Sequence, residues 1–525
     1  MSISQLTPAG PSPHPHGRLV THLLIGALAL GALGAWLLQA RGWGIGFTLF
    51  MGLATAVIVS VWRVNRVNLT GGGRWLLLPL IFFALAYIFR DSDMLRALNL
   101  LAAAILLALI VYRARAGQIR VAGLSDYAAA GLAASLGAGY GTLVPLAEGV
   151  AWSGARLNRT PLVALRAGLG VLIALPMLFI FGALFASADP DFGALLSGFF
   201  KWDLSSFVRD AFWFAVIGWM AFGLLKQLFG RPWPGSRSED RSNLALRPIF
   251  TVGAIEAIVA LGLFNLMFGT FVAFQLRYLF SLVPIGQTPG LDAYADYARR
   301  GFFELVAVAA LTLPTLLTAD WLTRPERVGW LRALSLLLIG LLFVIMTSAL
   351  QRMNLYTQAY GLTELRIYTT AFMLWLAVVF VWYATTVARG HRPRFAFGAL
   401  VAGLAAILIL NVVNPDATIV QVNAARSLLA APGPVTKVTP APASASRNPE
   451  RPFDASYAVR LSADAAPALI DAMAALPVRD ACYIREALVA SARGWATADW
   501  RSFHVSRWQA VNAVGSMPAL ECPPK

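Results

Sequence analysis

Eleven long apolar runs divide this chain, and no other feature restricts its fold so tightly. They cover residues 19–38, 47–62, 75–89, 97–112, 162–186, 211–229, 249–274, 302–318, 331–350, 367–387 and 395–412. Each approaches or reaches the ~20 residues a helix needs to cross bilayer hydrocarbon. Backbone amides find no water in lipid, so only helices and closed barrels span it. Composition agrees: the chain is 58% hydrophobic and 13% charged, against roughly 25% charged in soluble domains. The expected fold is all-α. A polytopic helical membrane bundle of 11 spans fills 18–413, after a disordered tail at 1–17 and before a small helical soluble domain.

The segment 122–152 adds a possible twelfth span. It holds Gly131, Gly137, Gly139, Gly141, Pro145 and Glu148, between two arginine-rich loops that both belong inside. It reads as a re-entrant hairpin, a pair of short helices or an ordinary weak span.

Orientation follows from the arginines. The loops 63–74, 113–120, 156–166, 231–247, 324–332 and 389–394 are basic, so the positive-inside rule places them in the cytoplasm. The stretch 189–210 is acidic on balance and is expected outside. This arrangement suits a bacterial inner membrane, with the N-terminus cytoplasmic and the chain beyond 414 periplasmic. The net charge of +16 is accounted for by these loops. Nucleic acid is therefore not an expected partner; membrane lipid is, with a periplasmic protein as a partner for the tail.

Both cysteines, Cys482 and Cys522, fall in that tail. Confinement of two thiols to the one exported soluble piece points to a disulfide. A Pro/Ala linker is expected over 414–452 and a helical domain over 453–525. Ser462 can cap a helix running to Leu476, a second helix covers 478–493, and Asp499 can cap a third that carries Trp500, Phe503 and Trp508. Such a core is small, and a disulfide would support it. His504 has no ligand partner at metal spacing and reads as a surface or core histidine; His14 and His16 lie in the N-terminal tail.

Charges at membrane boundaries are costly and need a reason. Two polar strings stand there. Tyr294-Ala-Asp-Tyr-Ala-Arg-Arg-Gly-Phe-Phe-Glu304 places Asp296, Arg300 and Glu304 at helical spacing, with Tyr297 beside them. It reads as a structural interfacial ion pair or as part of a functional site. The second string runs from Arg352 through Tyr360 to Glu364 and Arg366, with Gly361 allowing a sharp turn and Thr363 able to cap the next helix. Counting spans puts both strings on the periplasmic side with Arg277 and Tyr278, where the three pieces could line one mouth. Glu256 differs. It lies eight residues past Pro248, about 12 Å along a helix and so within the hydrocarbon. An acid there is protonated, paired or turned to a cavity. Asn265 lies on the opposite face.

No phosphate-cradling glycine loop, nucleophile elbow, zinc His-Glu-x-x-His or dinucleotide fingerprint occurs. No catalytic residue, metal or cofactor is therefore expected, and an enzyme is disfavoured.

Several ordered motifs resemble a group of bacterial inner-membrane proteins catalogued as a domain of unknown function. They are Phe274-Gln-Leu-Arg-Tyr-Leu-Phe280, Tyr294 to Leu305, and Tyr356-x-x-x-Tyr-Gly-Leu-Thr-Glu-Leu-Arg-Ile-Tyr368. Asn414-Pro-Asp-Ala, Leu461-Ser-Ala-Asp-Ala-Ala-Pro and Asp499-Trp-Arg-Ser follow the same pattern, although the Ala/Pro linker is longer. The resemblance covers the second half of the chain and implies no activity. The expected function is transport of a small molecule, ion or lipid using Glu256; the alternatives are a membrane sensor or assembly protein whose tail binds a partner and, least favoured, an enzyme on a lipid-linked substrate with Glu304 or Glu364 as base.

Overall fold

The structure is a computed structural model that describes residues 15–39, 42–65, 75–114, 204–229, 254–280, 302–322, 328–391, 394–430, 453–518 and 520–522, with four isolated positions between 131 and 138. The described residues form helices and connections, with no strand among them. In chain order the membrane helices are α1 (Pro15–Leu38), α2 (Ile45–Asn65), α3 (Leu77–Phe89), α4 (Asp93–Ala114) and α5 (Leu204–Phe229), then α6 (Ala254–Phe280), α7 (Phe302–Leu322), α8 (Val328–Tyr360), α9 (Glu364–Thr386) and α10 (Phe395–Val413). The tail supplies α11 (Pro415–Ala430), α12 (Ala455–Ala458), α13 (Ala466–Met473), α14 (Val478–Ala496) and α15 (Val505–Gly515).

Eight of these helices are long and apolar enough to cross a membrane. Two more expected spans appear as shorter apolar helices, Leu77–Phe89 and Ala257–Ala273. The run at 162–186 and nearly all of 122–152 lie outside the described residues. The chain is a multi-pass helical membrane protein.

Two apolar cores organise the bundle. The first joins α1–α5 through Leu23, Phe47, Ile58, Leu80, Phe83, Leu106 and Leu225. The second joins α6–α10 through Phe302, Leu316, Leu342, Met346, Met373 and Phe380. Lipid is as apolar as leucine, so hydrogen bonds between helices add specificity that burial alone does not. Asn265 Nδ2 donates to the Leu334 carbonyl, tying α6 to α8 at 3.0 Å. Between the two cores, Asn99 of α4 and Asn411 of α10 exchange amide hydrogen bonds at 3.0 and 2.8 Å.

The tail departs from expectation in two places. The linker does not begin at 414. Asn414 takes a left-handed conformation with φ 53° and ends α10, and Pro415 then opens the 16-residue α11. Proline suits a first helical turn, where its missing N–H has no partner to lose, and Ile419, Val420 and Ala424 give the new helix a buried face. The third tail helix is split. Asp499 caps only the short turn Trp500–Ser502, and Phe503 is extended because its carbonyl accepts the Ile45 N–H at 2.9 Å. Thr363 occupies the cap position of α9 without a side-chain cap bond. At the other end of the chain, α1 begins at Pro15, within the segment expected to be disordered. Cys482 and Cys522 are bonded, with Cα atoms 5.8 Å apart.

Candidate functional site

Four connections of the bundle converge on the tail. Gly44–Ile45 meets Phe503, Arg90–Ser92 meets Asp464, Glu364 meets Tyr457, and Asn414 meets Asp464. They therefore lie at one end of the bundle, and the tail caps that end.

At the centre two helix starts cap each other. The backbone N–H groups of Asp91 and Ser92, just before α4, both donate to Asp464 Oδ2 at 2.8 Å. In return, Asp91 Oδ2 accepts the Ala463 N–H at 3.4 Å, at the start of the tail turn Ala463–Ala465. Helix N-termini hold unpaired N–H groups and a partial positive charge, so a carboxylate offered by the opposing element is favoured at each.

Cations surround this exchange. Arg90 approaches Asp464 Oδ1 at 3.6 Å and donates to the Asn411 carbonyl from two nitrogens. Arg507 grips Asp91 Oδ1 through Nε and Nη2 at 2.9 and 2.8 Å, and Arg96 stands 3.9 Å from the same oxygen. His504 is wholly buried. Its Nδ1 lies 2.9 Å from the Ser502 carbonyl oxygen, which only accepts, so Nδ1 carries the ring proton. Burial, with Arg507 and Arg96 close by, lowers its pKa to about 4, although Asp91 works against the shift. The ring is neutral at neutral pH.

Asp416 completes the cluster from α11. Its Oδ2 accepts the Ser462 hydroxyl at 2.5 Å and the Ser462 N–H at 3.2 Å. Burial pushes its pKa up to about 6, and the charges of Glu364 and Asp464 add to that while the Ser462 bonds oppose it. Burial likewise raises the Asp464 pKa, against the Ser92 N–H bond and the Arg90 charge. Among the described residues, Asp416 Oδ1, Asp464 Oδ1 and His504 Nε2 are buried without a hydrogen-bond partner. No group of three His, Cys, Asp or Glu side chains with metal-binding geometry occurs among the described residues.

The second polar string forms the neighbouring turn. Gly361 has φ +79°, a conformation glycine adopts without the penalty a Cβ brings. Arg366 donates to the Gly361 carbonyl and lies 4.0 Å over the Tyr356 ring, itself packed on Tyr360 at 5.0 Å. Asn423 of α11 brackets Leu362 as a peptide would, accepting its N–H at 2.6 Å and donating to its carbonyl at 2.9 Å. The Glu364 N–H donates to the Tyr457 hydroxyl oxygen at 2.9 Å. Glu364 and Arg366 thus hold the turn under the tail.

Other expected site residues are not brought into this cluster. Glu304 is exposed in the first turn of α7, and Arg352 is half-buried in α8. Glu256, Arg277 and Tyr278 belong to α6, but their side chains, like Tyr297 and Arg300 altogether, lie outside the described residues. Sequence reasoning missed Asp91, Asp416 and Asp464 as a unit. The signal was present in Arg90-Asp-Ser-Asp93, a charged string between two apolar runs, and in the short motifs at 414, 461 and 499.

Residues 77–472 match the domain of unknown function DUF4153. No curated protein and no solved structure matches the chain. The matched region contains Asp91, Asp416 and Asp464 and stops before His504 and Arg507.

Proposed function

This chain belongs to the DUF4153 family of unknown function, and from that premise we propose that it is a membrane sensor or assembly protein whose C-terminal domain works as a coupled cap. In this reading the tail receives a partner or a change of conditions, and the junction passes the change to the ends of α3, α4, α9 and α10. One observation carries it: Asp464 of the tail is buried against the backbone N–H groups of Asp91 and Ser92 between two membrane helices. Such a contact resists half measures. A partly opened junction would strand buried charges and two helix ends without partners or water, so the cap has a docked state and a released, hydrated state with little between.

The tail faces the periplasm of a bacterial inner membrane in this proposal. The arginine-rich loops and the Cys482–Cys522 bond support that side. A C-terminal alkaline phosphatase fusion is expected to be active, and an inactive phosphatase fusion with a fluorescent C-terminal green fluorescent protein fusion overturns the orientation.

Transport rests on Glu256 alone, so the two readings separate by mutation. The coupled-cap reading expects Asp464→Ala to abolish the cell's dependence on the protein while the bundle still inserts, and Glu256→Gln to leave it intact. The reverse pattern transfers the proposal to transport.

A further inference from the structure

Trp36 stands two residues from the end of the span Thr21–Leu38, hence about 3 Å from it along the axis. With α1 as a membrane span, Trp36 falls at its boundary. The ring of Trp500, from the tail, lies 5.4 Å from it, so Trp500 shares the boundary to within a ring's width. The backbone bond from Ile45 N–H to the Phe503 carbonyl pins the other end of the same tail turn to the start of α2. Trp43 joins them, its indole N–H donating to the Leu38 carbonyl at 2.9 Å and its ring stacked on Phe47.

These rings are open. Trp36 and Trp500 are each 51% exposed, and Trp43 and Phe503 each 38%. A cluster of large aromatics facing water is unusual on a soluble surface and ordinary at the headgroup level, where an indole finds both apolar and polar surroundings. The turn's own charges are paired. Arg501 holds Asp499 through Nε and Nη2, donates to the Trp36 carbonyl through Nη1 and lies 5.9 Å from the Trp36 ring. Among the described residues of the turn itself, Arg501 is paired with Asp499 and the exposed surface is aromatic.

We infer that the C-terminal domain is partly immersed in the bilayer, with its Trp500–Phe503 turn seated among phospholipid headgroups and completing the aromatic belt that Trp36 and Trp43 begin. The occupant is the headgroup–acyl boundary of the membrane the protein spans, and because Arg501 is paired with Asp499 the rings, not an unpaired charge on the turn, seat it there. The patch is continuous with the lipid-facing surface of α1, which distinguishes it from a protein-docking surface on the domain's far side. All four aromatics lie outside the 77–472 match. The inference is independent of which side of the membrane the tail faces.

The test uses the full chain in phosphatidylcholine nanodiscs. Trp500→Cys is labelled with bimane while Cys482–Cys522 stays oxidised, and quenching by 5-doxyl phosphatidylcholine is compared with the same label at Trp36→Cys. The expected result is equal quenching at both positions, unchanged when phosphatidylglycerol replaces half of the lipid. A label at 500 that the doxyl lipid does not quench overturns the proposal, and quenching that appears only with phosphatidylglycerol overturns seating by the rings. Because Trp500→Cys removes a contact, the unmodified protein is also photolabelled with a diazirine phosphatidylcholine. Adducts on the peptide carrying Trp36 and also on the peptide carrying Trp500 support immersion. Adducts confined to α1 mean that water or a protein covers the turn instead.

Discussion

The α6–α10 core and the tail core solve different problems. Among the 21 buried members of the first, two are alanine, and the rest are mostly Leu, Ile, Met and Phe. In the tail eight of 14 are alanine. Burying a leucine stabilises by about 1.5–3 kcal/mol relative to exposure, and an alanine far less, so the tail's own core is the weaker of the two. The tail sits on interlocked charges at the bundle end. A bundle in lipid is held by shape and tolerates conservative change. A cap held by buried ion pairs is intolerant of losing any single partner.

The sharpest way to break this contrast is Asp464→Ala. It removes the acceptor for two backbone N–H groups and the partner of Arg90. A loss of roughly 3–5 kcal/mol in docking is expected for an unpaired buried site of this kind. Limited proteolysis is expected to release the tail while the bundle stays inserted. Unchanged protease resistance would mean that apolar packing holds the tail after all.

Next in size is a pair of opposite pH effects. Burial in the assembled cap pushes the Asp416 carboxyl from the ordinary 3.8 up to about 6. Where release exposes Asp416 to water, the raised value favours the protonated docked form, so docking weakens as pH rises from 4 to 6, by at most on the order of 3 kcal/mol. His504 falls from 6.5 to about 4 on docking, so its contribution weakens as pH falls through that window, by a similar amount. Between the two values docking amounts to moving a proton from the imidazole to the carboxyl, with no net uptake. The intact protein should therefore dock almost independently of pH from 4 to 6, apart from a tilt toward low pH from Asp464, whose carboxyl is also raised. Single variants unmask the parts. His504→Gln should leave docking that weakens as pH rises, and Asp416→Asn docking that weakens as pH falls, both read by protease release across pH. Identical profiles for the two variants would show that these groups do not titrate on docking.

The contrast between core and cap also explains what the sequence made legible. Apolar runs announce spans because their length is imposed by the bilayer, and ten of the 11 expected runs coincide with described helices. The Gly361 turn was legible too, since few other residues accept its φ of +79°. The junction was not. Asp91, Asp416 and Asp464 are separated by more than 40 residues at each step, and each alone resembles an ordinary helix-start acid. Only the fold brings them together. The helix α11 was hidden for a related reason: Asn-Pro after a span reads as an exit, yet the chain turns once at Asn414 and continues as a helix beneath the tail.

A smaller effect tests how closely the cap must approach. A Cβ on Gly44 would overlap the Phe503 carbonyl oxygen and stand 2.7 Å from the Ser502 carbonyl carbon. Both are backbone atoms and cannot rotate away. Gly44→Ala should cost about 1–3 kcal/mol through forced backbone displacement, seen as faster proteolysis within the Trp500 turn, with Cys482–Cys522 still intact. Normal proteolysis would show that the α1–α2 connection is free to shift and that the aromatic contact does not depend on it.

The smallest effect probes the bundle itself. Asn99 and Asn411 form the buried amide pair between the two apolar cores, at 3.0 and 2.8 Å. Asn411 Nδ2 also reaches the Ile407 carbonyl at 2.9 Å, and its own carbonyl serves Arg90, so a single substitution mixes several losses. A double-mutant cycle with Asn99→Ala and Asn411→Ala, read by unfolding in detergent, isolates the side-chain term because the Arg90 bond goes to the backbone and survives. Interhelical hydrogen bonds in membranes average about 0.6 kcal/mol and reach about 1.7 kcal/mol, since the separated helices find other partners. A coupling in that range keeps bundle and cap distinct, one held by shape with a polar registration mark and the other by charge. A coupling of the size expected for Asp464 would mean that the two halves of the bundle are joined as the cap is, and that the whole protein is organised around polar locks at the ends and centre of its helices.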